Sequence, residues 1–162
     1  MDPAASGRSI IDYGCGYGAL LDHLEASGRA WTYTGYDVAA PMIARAQSLH
    51  GHDIRASFTT SLDEVRPADY AVASGIFNVK LDYPPEEWQV YVSGVIEDLN
   101  RLGTSGFAFN MLTTYSDENR RRPDLYYADP VRVFDDCKRR YSPRVALLHD
   151  YPLYEFTIVV RK

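Results

Sequence analysis

Cysteine is scarce in this chain of 162 residues: there are two, Cys15 and Cys137, far apart in sequence. Two distant thiols give neither a disulfide framework nor a metal-ligand spacing, so no metal is expected and a reduced, cytoplasmic setting fits best. Long apolar runs are missing too. None approaches the ~18 residues that a membrane span needs, so no membrane partner is expected. The opening residues Met1-Asp2-Pro3-Ala4-Ala5-Ser6-Gly7 hold no basic stretch followed by an apolar core, which argues against a secretory leader. A basic excess is absent as well. The formal net charge is -5, and chains that grip phosphate backbones usually show the opposite balance, so nucleic acid is not an expected partner. No internal repeat or low-complexity segment is present.

What is present suits one globular domain over residues 1–162. Hydrophobic residues make up 46% and charged residues 24%, an ordinary balance with enough apolar material for a core. Strand and helix patterns alternate. Strands are expected at Arg8 to Asp12, Trp31 to Asp37, Ile54 to Phe58, Asp69 to Ala73 and Gly106 to Leu112, with a closing pair at Arg144 to Leu148 and Glu155 to Val160. Helices are expected at Ala19 to Ser27, Ala40 to Leu49, Pro85 to Leu102 and Pro130 to Arg140; the third has Trp88, Val92, Val95, Ile96 and Leu99 near a helical repeat. Thr113 to Asp129 reads as a polar, aromatic loop. Such alternation argues for an α/β three-layer sandwich with a mostly parallel, seven-stranded sheet and an antiparallel closing hairpin.

The chemistry-bearing pattern comes first in the chain. Ile10-Ile11-Asp12 is strand-like, glycines follow at Gly14, Gly16 and Gly18, and a helix begins. Glycines let the chain turn sharply and let a ligand approach the backbone, and the helix start adds free N–H groups. Gly14-Cys15-Gly16-Tyr17-Gly18-Ala19 also fits a dinucleotide fingerprint. Asp12 discriminates between the two. A carboxylate beside this turn repels a pyrophosphate, whereas it attracts the sulfonium and amine of S-adenosylmethionine (SAM). Asp37 ends the second strand, where an acid accepts both hydroxyls of an adenosine ribose; an alternative role for it is a helix cap.

On these residues the chain resembles the class I, Rossmann-like SAM-dependent methyltransferases, and more narrowly a small bacterial branch of mostly unassigned substrate. The narrower likeness lies in Ala73-Ser74-Gly75-Ile76-Phe77-Asn78-Val79-Lys80, Phe107 to Leu112, Leu125 to Pro130 and Ala146 to Tyr151. The resemblance implies SAM as cofactor and S-adenosylhomocysteine (SAH) as product. It places Asp12 and the backbone of Gly14, Cys15, Gly16 and Gly18 at the methionine part, Asp37 at the ribose, and Ser74 and Gly75 beside the carboxylate or the transferring methyl. Many relatives carry an acid after the third strand for the adenine. Here that region reads Ser57 to Leu62, so apolar packing against Val38 or Phe58 is expected instead. Nor is there the Asn/Asp-Pro-Pro-aromatic turn of enzymes that methylate nucleic-acid bases; Ser74-Gly75-Ile76-Phe77 stands in its place.

In open α/β sheets, ligands sit beyond the C-terminal ends of the parallel strands. Three loops reach that rim and supply the expected substrate residues Phe77, Asn78, Tyr126 and Tyr127, with His149 as a candidate base and Tyr115 as a second candidate catalytic residue, since tyrosines near the sulfonium can help through cation–π contact. A structural histidine is the competing role for His149. Arg120-Arg121-Arg122 lies in a rim loop and is a candidate contact for an anionic substrate group, with a solvated face as the competing role; Lys138-Arg139-Arg140 ends a helix. The expected reaction is methyl transfer to an oxygen or nitrogen of a small molecule. The rival readings are a macromolecular methyltransferase that needs a partner and a non-catalytic SAM-binding protein. Only Met1 to Gly7 precede the first strand, too few for a helical cap. Either a homodimer packed over the cleft or a lid at Tyr115 to Asp129 is therefore expected to close the site.

Overall fold

The computed structural model describes residues 7–28 and 30–162; the expectation about Met1 to Ser6 and a missing cap falls outside those residues. The strands are β1 (Arg8–Tyr13), β2 (Trp31–Tyr36), β3 (Ala56–Thr59), β4 (Ala68–Ala73), β5 (Gly103–Thr113), β6 (Tyr127–Ala128), β7 (Arg144–Leu148) and β8 (Glu155–Arg161). The helices are α1 (Ala19–Ala26), α2 (Ala40–His50), α3 (Pro85–Leu102) and α4 (Pro130–Arg140). The long strands run β3-β2-β1-β4-β5-β8-β7, all parallel except β8, which is antiparallel to both β5 and β7.

The architecture is the expected Rossmann-like α/β sandwich, with one more strand than the seven read from sequence. The eighth, β6, is two residues that pair with Leu112 and Thr113 of β5 inside the segment expected to be loop. The third strand also begins later than expected. Ile54 is fully exposed, because the Asp53 carboxylate accepts from the Arg55 backbone N–H at 2.8 Å and folds a turn there.

Strand parity fixes which residues face which helices. Ile10, Tyr33, Ala56, Tyr70 and Val72 point to one face, which we name the α1 face; α1 covers it over β1 and β2 with Leu20, Leu21 and Leu24, and α2 adds Ile43. Ile11, Ala71, Phe107, Phe109, Met111, Phe156, Ile158 and Val160 point to the other, the α3 face, and form the main core with α3. Helix α3 meets it with Val92, Val95, Ile96, Leu99 and Leu102, a stripe at helical spacing. Helix α4 is set by local signals: the Asp129 carboxylate accepts from the N–H groups of Val131 at 2.9 Å and Arg132 at 3.2 Å, Pro130 follows, and Lys138 to Arg140 occupy the last turn. No helix among the described residues is long and apolar enough to cross a membrane.

Candidate functional site

Parallel β1, β2 and β4 end at one rim, and the loops that follow them are tied together there. The β1 loop folds back on β2, with the Gly14 and Cys15 N–H groups donating to Tyr36 O at 2.7 and 3.0 Å. Gly14 has a φ of +82°, and a Cβ on it would stand 2.3 Å from Ile76 Cγ2, so only glycine lets the β1 loop touch the β4 loop. Gly16 also has positive φ, and nothing lies within 4 Å of where its Cβ would be. That side of the loop backbone is open to an approaching ligand.

Asp37 binds two segments at once. Its Oδ2 accepts from Gly16 N at 2.9 Å and its Oδ1 accepts from Ala39 N at 2.8 Å, just ahead of α2. Asp37 is not itself the cap residue of α2, which is Ala39, but its carboxylate organises the entry to that helix and stands against the glycine loop. Each oxygen keeps a lone pair for a further donor. Val38, next in sequence, is 80% exposed on the rim.

Asp12 is 5% exposed, beneath the loop. Tyr33 Oη donates to its Oδ2 at 2.8 Å. Burial lifts the Asp12 carboxyl to about 6; the Tyr33 hydrogen bond pulls it down and the charge of Asp37 adds to the rise. The site therefore holds two carboxylates close enough to feel each other, a field that favours a cation. The Cys15 thiol is buried against Gly35, and burial pushes it up to about 12, which leaves the backbone of Cys15 as its part facing the loop. At the end of β4, Ser74 and Gly75 are exposed. Gly75 N donates to Asn110 Oδ1 at 2.7 Å, and Asn110 Nδ2 donates to Glu155 Oε2 at 3.0 Å.

The expected acceptor residues divide. Tyr115, 68% exposed, and His149 come together, ring centroids 5.7 Å apart, with Phe156 behind the imidazole at 6.2 Å. Phe77 departs from expectation: it is completely buried, edge-on to Phe109 and Tyr91, and belongs to the core. Asn78 is engaged in holding the rim together, its Oδ1 accepting from Leu112 N at 3.1 Å and its backbone O from Tyr126 N at 2.9 Å. Tyr126 packs half-buried against the main core. Tyr127 Oη accepts from Arg122 N at 3.1 Å, beneath the Arg121 guanidinium. Arg121 donates to the carbonyls of Thr114 and Ser116, and Arg122 Nε donates to Asp124 Oδ1 at 3.0 Å, so these two arginines brace the 113–129 segment. Arg120 lies over Tyr154, which is hydrogen bonded to Asp117.

Tyr33, Asn110 and Glu155 were not singled out by sequence reasoning. Asn110 left a signal, a lone amide in the apolar strand Phe107 to Leu112. Tyr33 left one only in register, because Asp12 pairs with Gly35 and places Tyr33 on the same face.

Residues 2–144 match the family described as Methyltransferase domain. A Mycobacterium tuberculosis (strain ATCC 25618 / H37Rv) protein named "Putative methyltransferase Rv1506c" is similar at 53% identity over 159 residues, covering 98% of this chain and 96% of its own. Among solved structures, the methyltransferase domain of bacterial-CtHen1-C is similar with a TM-score of 0.69 and 17% identity, covering 95% of this chain and 89% of that one. The DhpI-SAH complex is similar with a TM-score of 0.62 and 18% identity, covering 94% and 76%. At such identities the structural likeness is one of fold.

Proposed function

The chain belongs to the methyltransferase domain family, and from that premise we propose that it transfers the methyl group of SAM to an oxygen or nitrogen of a small-molecule acceptor. The observation that carries the cofactor assignment is the glycine loop set between two carboxylates: Asp37 bonded to Gly16 N at 2.9 Å and Asp12 buried below. A polyanion such as a pyrophosphate is a poor fit to that field, and a sulfonium with an ammonium group is a good one. The fold neighbour solved with SAH supports the same ligand.

When bound, SAM supplies a methyl group on an electron-poor sulfonium. The backbone of Gly14, Cys15, Gly16 and Gly18, with the charge of Asp12, holds its methionine part. The free lone pairs of Asp37 take the ribose hydroxyls, Val38 covers the adenine, and Ser74 and Gly75 border the methionine end. Displacement at a methyl needs alignment and exclusion of water more than acid–base help. The acceptor lies over Ser74, Tyr115 and His149, the side chains exposed or half-exposed at the rim. His149 takes the proton that the acceptor loses. Phe77, Asn78, Tyr126 and Tyr127 serve this site as supports of its loops.

Two measurements test the reading. Isothermal titration should show SAM and SAH binding and no NAD binding, and Asp37→Ala should weaken SAM by about 1–3 kcal/mol, the scale of a lost charged hydrogen bond. NAD binding without a SAM response overturns the cofactor. Mass spectrometry of a metabolite extract incubated with enzyme and isotopically labelled SAM then identifies the acceptor; label found only in protein or RNA overturns the small-molecule class.

A further inference from the structure

On the α1 face, where α1 and α2 do not reach, lies a groove of about 490 Å³. Its floor is Ile10, Val72, Ala108 and Val159, and Trp31 and Tyr70 wall one side with their rings 6.2 Å apart. Gly106 lies in register between Tyr70 on β4 and Arg161 on β8, so no side chain stands between those two in that row. The far side of the groove is cationic. Arg161 pairs directly with Arg144 of β7 in the antiparallel ladder, which sets both side chains on one face with their Cα atoms about 4.5–5.5 Å apart. Like charges opposed in this way destabilise a strand pair, yet no ion pair among the described residues includes either arginine. Arg8 is a third cation at the groove and lies over the Tyr70 ring at 5.9 Å. The carboxylate whose charge it meets, Asp69, already accepts from the Ser9 N–H at 2.7 Å and the Ser9 hydroxyl at 2.9 Å. A chain of net charge -5 thus gathers three cations at the edge of one apolar floor.

We propose that this groove binds an amphipathic anion, a small molecule with a short apolar body and a carboxylate or phosphate head. The body lies on Val72, Ala108 and Val159, against the Trp31 and Tyr70 rings. The head sits between Arg144 and Arg161 and relieves their mutual repulsion; each guanidinium offers a fork of donors that matches either acid. A neutral or cationic molecule with the same body leaves the two arginines opposed. The volume is in the range of small-molecule sites. Arg161 and Gly106 lie toward the N-terminal end of β5, whereas the glycine loop lies at the C-terminal ends of the parallel strands, so this ligand and SAM bind side by side without competing.

Calorimetric titration of the full chain with decanoate and with decyl phosphate, below their micelle concentrations, is the test. At least one should bind saturably, and the tighter of the two identifies the head. Decyltrimethylammonium, with the same tail and the opposite charge, should bind about 10-fold more weakly or worse. Arg144→Gln and Arg161→Gln should each raise the Kd of the acid about 10-fold or more, as the loss of a charged hydrogen bond does. Ala108→Leu, which fills the floor and leaves both arginines, should weaken binding too. Circular dichroism and melting curves verify the fold of each variant. Tryptophan emission should change on binding and Trp31→Phe should remove that change, because the other tryptophan, Trp88, is on α3. Saturation with SAH should leave the affinity for the acid as it was. The proposal is overturned by the absence of saturable binding of both acids, by equal binding of the cationic detergent, by indifference to the arginine changes or to Ala108→Leu, by an emission change that survives Trp31→Phe, or by competition with SAH.

Discussion

Two quarters of the sheet carry no helix among the described residues, and they differ in chemistry. On the α3 face, outer strands β2 and β3 present Thr32, Thr34 and Ser57, with Thr34 Oγ1 and Ser57 Oγ 3.2 Å apart. On the α1 face, β4, β5, β8 and β7 present Val72, Ala108, Val159, Ala146 and Leu148, the last 44% exposed. The first quarter is what a sheet needs to face water: β-branched or small residues with hydroxyls that hydrate. The second has the same strand-compatible shapes without the hydroxyls. Contiguous apolar surface rimmed by charge is the pattern of an interaction site. Because one chain uses both solutions, the apolar quarter is not simply how this fold treats open sheet.

The largest effect that sharpens the contrast compares a covered position with a bare one. Leu99 is fully buried between α3 and the sheet, so Leu99→Ala should destabilise by about 2–5 kcal/mol. Val159→Ala, on the bare face, should cost about 1 kcal/mol or less, because water already reaches the side chain. Urea unfolding followed by circular dichroism measures both. Equal losses would mean that the apolar quarter is packed as tightly as the core, and the contrast would be lost.

A second test concerns the covered part of the α1 face. Asp12 has its folded pKa raised to about 6, above the unfolded value of about 3.9. A raised carboxyl pKa means that its protonated form favours the fold. Its stabilising contribution is complete below about pH 4 and is lost as pH rises through about 6. The ligand-free protein should therefore lose about 2–3 kcal/mol across that window from this residue. Asp12→Asn should flatten the pH dependence, stabilise the protein at pH 7.5 and weaken SAM binding. Melting curves from pH 4 to 7.5, with and without SAH, check all three; an unchanged pH profile in the variant would show that Asp12 is not strained by burial.

Much of this was legible from sequence where the signal is local. The glycines of the first loop, the acid near the end of β1, the acid just after β2, the proline-led helices and the strand alternation each state their structure within a few residues. Signals that depend on a distant partner were not legible. Strand β6 exists because Leu112 and Thr113 of β5 happen to lie alongside Tyr127 and Ala128. Phe77 sits two residues past a rim glycine, yet Trp88 Nε1 donates to its carbonyl at 2.8 Å and the ring turns into the core. The bare apolar quarter was hidden for a related reason. The Phe156 to Val160 run reads as a strand buried on both faces, and nothing local says that one face has no cover among the described residues.

The smallest effect is also the most pointed, an exchange between the two quarters. Thr34→Val and Val159→Thr swap a hydroxyl for a methyl with almost no change of shape, and both residues favour extended backbone. Each should alter stability by only about 0.5 kcal/mol, the range of surface substitutions. The Thr34 change gives up one weak hydroxyl contact, and the Val159 change places a hydroxyl where water can meet it. Thermal melts of the two variants against the wild type measure both. If Val159→Thr destabilises the protein by more than about 1 kcal/mol, as burying an unpaired hydroxyl does, then the quarter is covered from within the chain and the contrast with the outer strands is lost.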